Sequence, residues 1–300
     1  MRKKSNLWFE ALTLAGFLIG SCGMAVAQGS QGFQSGQSGQ GSQSQPPAQS
    51  TDKSKTPEVT PLSLDSAPPP VNAEEDAAFK VFQAVPMSDA KQKIQSGEAF
   101  LQKYPQTRYK SGVYAPLAFA YLQDGQVQKM QEYGEKEIAL VPNDVSTLAL
   151  MAQTLPRRIN SSTPPAEAAQ LLAKAEQYSK QAIELTPTLP KPANMTDEAF
   201  AAAKNQDLAM AHGGLGLVYI RRGKNAEAIT ELDEAVKVDP SPDPVNYYLL
   251  GMANKSTSHF DDAIAAFNKC AAMPGQMQAV CKAQADDSKK KSSTELSAPK

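Results

Sequence analysis

Two stretches of this chain repeat one another at a fixed distance, and that repetition constrains the fold more than any other feature. Leu215, Gly216, Ala228, Ile229 and Leu232 are followed 35 residues later by Leu250, Gly251, Ala263, Ile264 and Phe267. Leu117, Tyr121, Gly125 and Pro142 stand at one constant offset from Leu215, Tyr219, Gly223 and Pro240. A unit that recurs in this way is one supersecondary piece of an array. Its apolar residues fall at three- and four-residue spacing and alternating β-branched runs are missing, so the unit is helical. Leu215 and Tyr219 lie one turn apart and share a buried face. Gly216, Gly251, Ala228 and Ala263 let a neighbouring helix come close, and Gly223 suits a tight turn because it tolerates positive φ. Pro142, Pro187 and Pro240 each stop a second helix, since proline has no N–H to donate. The unit is a helical hairpin of about 34 residues, and the chain from about Val71 to Ala285 reads as an array of them.

The unit resembles the tetratricopeptide repeat. Residues 209–242 carry the resemblance best, through Leu215, Gly216, Tyr219, Gly223, Ala228, Ala235 and Pro240. Residues 244–276 carry it through Tyr247, Leu250, Gly251, Ala263 and Phe267, and depart at Asn254 and Ser258, where Tyr and Gly are usual. Residues 111–143 carry it through Tyr114, Leu117, Ala118, Tyr121, Gly125 and Pro142, and depart at Met130 and Gly134. Residues 144–187 look like a stretched repeat with an insertion at Pro156–Pro165, and 73–106 like a degenerate opening hairpin. Thr196 with Asp197 and Glu198 marks a further helix start. The resemblance implies an all-α solenoid of antiparallel hairpins over 73–284, a right-handed superhelix whose first helices line a concave groove. It implies a scaffold that binds proteins or peptides. Carrying the family's groove positions over gives Met210, Gly213, Leu217, Ile220 and Arg221, then Val245, Tyr248, Met252 and Lys255, then Ala115, Phe119 and Leu122. This is an apolar strip edged by cations, suited to an amphipathic helix or an extended hydrophobic segment. The alternative is that these side chains pack on neighbouring repeats. The Lys/Asn/Arg set that clamps a C-terminal carboxylate in cytosolic co-chaperones is missing.

The ends read differently. Arg2, Lys3 and Lys4 precede an apolar run from Ala11 to Gly20, and Ala25-Val26-Ala27 is a small-x-small cleavage site, so residues 1–27 are expected to be a signal peptide. A competing reading takes Ile19-Gly20-Ser21-Cys22 as a degenerate lipobox with Cys22 lipidated. Residues 28–72 are rich in Gln, Ser, Gly and then Pro, with almost nothing apolar to offset the entropy of ordering. They are expected to be a disordered tether with an end-to-end distance of about 40 Å. Residues 285–300 are expected to be a disordered tail.

Composition excludes several functions. Lys and Arg number 30 against 31 Asp and Glu, without the basic footprint of a dedicated nucleic-acid binder. No apolar run of about 20 residues follows the N-terminus, which excludes a polytopic membrane protein. Two histidines and three cysteines leave little for a metal centre. No cofactor or metal is expected. After ordinary cleavage Cys270 and Cys281 are the cysteines left, an even number outside the cytoplasm. Pro274-Gly275 turns the chain between them, so they are candidates for a disulfide; two reduced thiols or a redox pair are the alternatives. His212 sits at a bulky buried position and His259 at a helix start. No phosphate loop, no Gly-x-Ser-x-Gly elbow and no His-Glu-x-x-His occurs.

The expectation is an exported bacterial, periplasmic, non-catalytic scaffold of the cell envelope, binding an apolar segment of a protein partner. The alternatives are a lipoprotein of envelope assembly, held at a membrane only if Cys22 is lipidated; a self-associating structural array; and an unrecognised redox or hydrolytic enzyme.

Overall fold

The computed structural model describes residues 72–296, and the readings of residues 1–71, with the signal peptide, Cys22 and the tether, lie outside the described residues. Eleven α-helices follow one another among the described residues, with no strand. They are α1 (Ala73–Ala84), α2 (Ala90–Lys103), α3 (Lys110–Gln123), α4 (Val127–Leu140), α5 (Val145–Thr154), α6 (Pro165–Leu185), α7 (Asp197–Arg221), α8 (Asn225–Val238), α9 (Pro244–Ser256), α10 (Phe260–Ala272) and α11 (Met277–Leu296). The fold is an all-α solenoid of helical hairpins. The pairs α1/α2, α3/α4, α5/α6, α7/α8 and α9/α10 are its hairpins, and α11 packs along α10.

The turns show why the sequence repeats. At the end of α3 the N–H of Gly125 bonds the carbonyl of Leu122 and that of Gln126 reaches back to Tyr121. After α7, Gly223 bonds Ile220 and Lys224 bonds Tyr219. After α9, Ser258 bonds Lys255 and His259 bonds Asn254. The long bond closes the last turn around a left-handed residue. That residue has φ 75° at Gly125, 74° at Gly223 and 62° at Ser258. Ser258 therefore accepts the conformation that glycine takes in the other two turns. The first turn closes by other means. The Lys93 ammonium, 4% exposed, donates to the carbonyls of Phe82 and Val85 and lies 4.1 Å from the Phe82 ring. It adds a donor to carbonyls at the end of α1, where the helix supplies few. Burial pushes its pKa down.

Small residues set the helix spacing. A Cβ on Gly216 would lie 2.5 Å from Leu232, and one on Gly251 2.6 Å from Phe267. In α4 the large and small positions trade places. Met130 fills the slot that Ala228 fills in α8, and is fully buried. Gly134 stands where α8 has Leu232, and its space goes to the Met151 thioether from α5. The two departures conserve volume, which is the kind of exchange cores tolerate.

Three features differ from the sequence reading. The helix that starts behind Thr196, whose hydroxyl caps the N–H of Ala199, does not stop before the repeat at 209. It runs on as the single 25-residue helix α7. The boundary at 284 falls inside α11, because Ala285 and Ser288 continue the buried stripe begun by Cys281 and Gln284. The tail expected from 285 is thus helical to Leu296. His212 is half-buried, with Nδ1 2.7 Å from a carboxylate oxygen of Glu231 on α8.

Candidate protein-binding face

The first helices α5, α7 and α9 lie side by side and parallel. The Ser146 hydroxyl donates to Asp207 at 2.9 Å, a Cβ on Gly214 would meet the Ala152 carbonyl at 2.4 Å, and Arg221 Nη2 donates to the Ile159 carbonyl at 2.9 Å. Those pairs keep a separation of 61 or 62 residues along the whole contact. Gly213 faces Asn246 of α9 in the same way. The packing decides how many of the family's groove positions remain open.

Five of the twelve candidates are core, Gly213 among them. Leu122 is 3% exposed, Leu217 1%, Val245 7% and Tyr248 5%. The Tyr248 ring lies tilted 6.0 Å from that of Phe267, and burial pushes its phenol above the ordinary range. The two cations are engaged by the chain itself. Arg221 reaches Ile159 in the insertion, and burial pushes its pKa below the ordinary value. Lys255 donates to Gln284 at 2.6 Å and pairs with Asp287 at 2.5 Å, both on α11. Phe119, Met210, Ile220 and Met252 are half-buried, so part of each side chain meets solvent. The open part of the strip is therefore apolar and narrower than the sequence suggested.

The sequence reading missed what the insertion does. The segment 155–158 makes a short 3-10 turn, and Arg157 Nη2 lies 3.4 Å from Asp243, just before α9, two hairpins further on. Nearby, Asn246 is 1% exposed and its side-chain oxygen finds no donor. The Arg-Arg pair inside the insertion was the signal for this tie. On the second-helix side, α8 and α10 leave an open cleft of about 480 Å³ floored by Tyr247 and Leu250 and edged by Asp233, Asp262 and Lys269.

Cys270 and Cys281 are bonded, with Cα atoms 5.8 Å apart, and the bond joins α10 to α11. Among the described residues no group of three His, Cys, Asp or Glu is placed to hold a metal ion, and no helix is long and apolar enough to cross a membrane.

Comparison with known proteins bears on two of the hairpins. The tetratricopeptide repeat model matches residues 211–242 and 245–275. No curated protein matches the chain in sequence. Among solved structures the chain is similar to TTC0263, a thermophilic TPR protein of Thermus thermophilus, at 17% identity over 71% of this chain and 98% of that one, with a TM-score of 0.47. It is similar to MamA of AMB-1 at 16% identity over 66% and 96%, with a TM-score of 0.44. It is also similar to a tetratricopeptide repeat protein from Parabacteroides merdae at 14% identity over 72% and 99%, with a TM-score of 0.29. Two hairpins of this chain, at residues 211–242 and 245–275, are thus tetratricopeptide repeats.

Proposed function

We propose that this protein is an exported, non-catalytic scaffold that holds an apolar segment of an envelope protein against its first-helix face. Tetratricopeptide repeats mediate protein contacts, and the finer reading rests on one observation. Phe119 on α3, Met210 and Ile220 on α7, and Met252 on α9 keep partly exposed apolar side chains among the family's groove positions, Phe119 and Met252 at one slot of the repeat and Met210 and Ile220 at two others. Thioethers beside a branched alkyl group and an aromatic ring give an adaptable, water-shedding surface without a fixed hydrogen-bond pattern. Such a surface suits an amphipathic helix or an extended hydrophobic stretch. The Cys270–Cys281 bond supports an oxidising compartment.

The test is photo-crosslinking in the cell from a probe at Met252, whose side chain reaches solvent, rather than at the buried Tyr248. A discrete protein partner is expected, and Ile220→Lys is expected to reduce its capture at least tenfold while helicity is kept. Crosslinks confined to the chain itself would overturn the reading.

A further inference from the structure

Two buried carboxyl groups, Glu137 and Asp207, each face Asp144 where α4, α5 and α7 meet, and no cation acts on either. Glu137 on α4 occupies the slot that Ala235 fills in α8, and it is 1% exposed. One of its oxygens accepts from the Ser111 hydroxyl at 2.6 Å, and the other, Oε2, finds no donor. Asp207 on α7 is 8% exposed and accepts from Ser146 on α5. Asp144, at the start of α5, accepts from Thr147 and acts electrostatically on both of the others. A buried carboxylate needs a cation or several donors, and one that has neither is costly in its charged form.

The surroundings supply no compensation. Toward Glu137, α3 offers the Ser111 hydroxyl and α5 offers Asp144. Toward Asp207, α5 offers Ser146 and Asp144, and no charged side chain of α6, α8 or α9 acts on it. Lys204, one turn earlier on α7, donates instead to the Pro187 carbonyl. Each carboxyl group is held by a single hydroxyl: Glu137 by Ser111 within its own hairpin, Asp144 by Thr147 of its own helix, and Asp207 by Ser146 across the α5–α7 contact.

We propose that Glu137 and Asp207, each facing Asp144, form a proton-operated clasp between α4, α5 and α7, loosened by their charge at neutral pH and tightened when the surroundings acidify. A protonated Glu137 carries no buried charge beside Asp144, and a protonated Asp207 no longer opposes it across the α5–α7 contact. The array then responds to pH at its middle, where the opening hairpins join the rest.

The sign follows from the proton count. Burial, with Asp144 adding to it, pushes the Asp207 carboxyl up from 3.8 to about 6, and burial pushes that of Glu137 up as well. Between the unfolded and folded values the folded chain binds more protons. Stability therefore falls as pH rises through that window. Carboxylates held low by cations, such as Glu132, Glu135 and Glu176, stay ionised above pH 5.5 and do not mask the trend.

The test is thermal unfolding of the full chain, followed by circular dichroism between pH 5.5 and 7.5 at constant ionic strength. The wild-type melting temperature is expected to be about 2–3 °C higher at pH 5.5 than at pH 7.5. Asp207→Asn with Glu137→Gln is expected to remove most of that difference by raising the value at pH 7.5. The histidines are common to both chains, so the subtraction removes their share. A wild-type melting temperature that is flat or falls toward pH 5.5 would overturn the clasp, even if the double variant fails to fold. A slope that survives in the double variant would overturn it too.

Discussion

Ser258 is where a single residue departs most clearly from what its turn requires. Its φ of 62° lies in the left-handed region, and its N–H closes the turn after α9 as Gly125 and Gly223 close theirs. A side chain there meets the following carbonyl oxygen, at a cost of about 1–2 kcal/mol. Glycine removes that cost but adds freedom to the unfolded chain, which takes back part of the gain. Ser258→Gly is therefore expected to stabilise the protein by about 0.5–1 kcal/mol, read as a higher urea midpoint with an unchanged slope. A lower midpoint would show that the hydroxyl supports the turn. The same scale explains why a charge at Leu217 is the wrong probe of binding. Leu217 is 1% exposed, so Leu217→Lys buries an ammonium and unfolds the hairpin before it tests any groove.

At the scale of the helix, spacing is decided by atoms that are missing. A Cβ at Gly214 would meet the carbonyl oxygen of Ala152 at 2.4 Å and its carbon at 2.6 Å, and backbone cannot rotate away. Gly214→Ala must push α5 and α7 apart, which costs about 3 kcal/mol at the upper end of overpacking; unfolding in urea measures it. Gly251→Ala meets the Phe267 ring instead, which is fully buried and as little able to yield. The hairpins were legible because Leu215, Gly216, Tyr219 and Gly223 act within one unit, where period and turn chemistry fix the geometry. The fate of the strip was not, because it depends on contacts between units. Nothing in the local pattern around Lys255 says that α11 brings Gln284 and Asp287 to it. Nothing around Arg221 says that a loop 62 residues away supplies its acceptor. The Met130 and Gly134 exchange was legible as a departure, yet its resolution lay in Met151 on the next helix.

For the whole molecule, α7 is the helix on which the apolar clusters of the array meet. Val218 belongs to the apolar cluster that runs from Phe79 and Phe82 through Tyr121 and Leu150 to Leu171. Its neighbour Leu217 belongs to the cluster that runs through Leu232, Tyr248 and Phe267 to Cys281. In an array of this kind each repeat is supported by its neighbours, so a loss at one end spreads only as far as the coupling carries it. The Cys270–Cys281 bond, across a separation of 11 residues, holds the terminal helix to that end. Closing so short a loop contributes about 3 kcal/mol. Reduction is therefore expected to speed amide exchange in α10 and α11 by about 100-fold, while α3 and α4, in the other cluster, keep their protection. Mass-spectrometric exchange on the reduced and oxidised chain separates the outcomes. Faster exchange in α3 and α4 by the same factor would mean that α7 couples the two clusters into one cooperative unit. Exchange confined to α10 and α11 would mean that the array frays from its stapled end, and that the half-buried strip on α7 stays formed when the end opens.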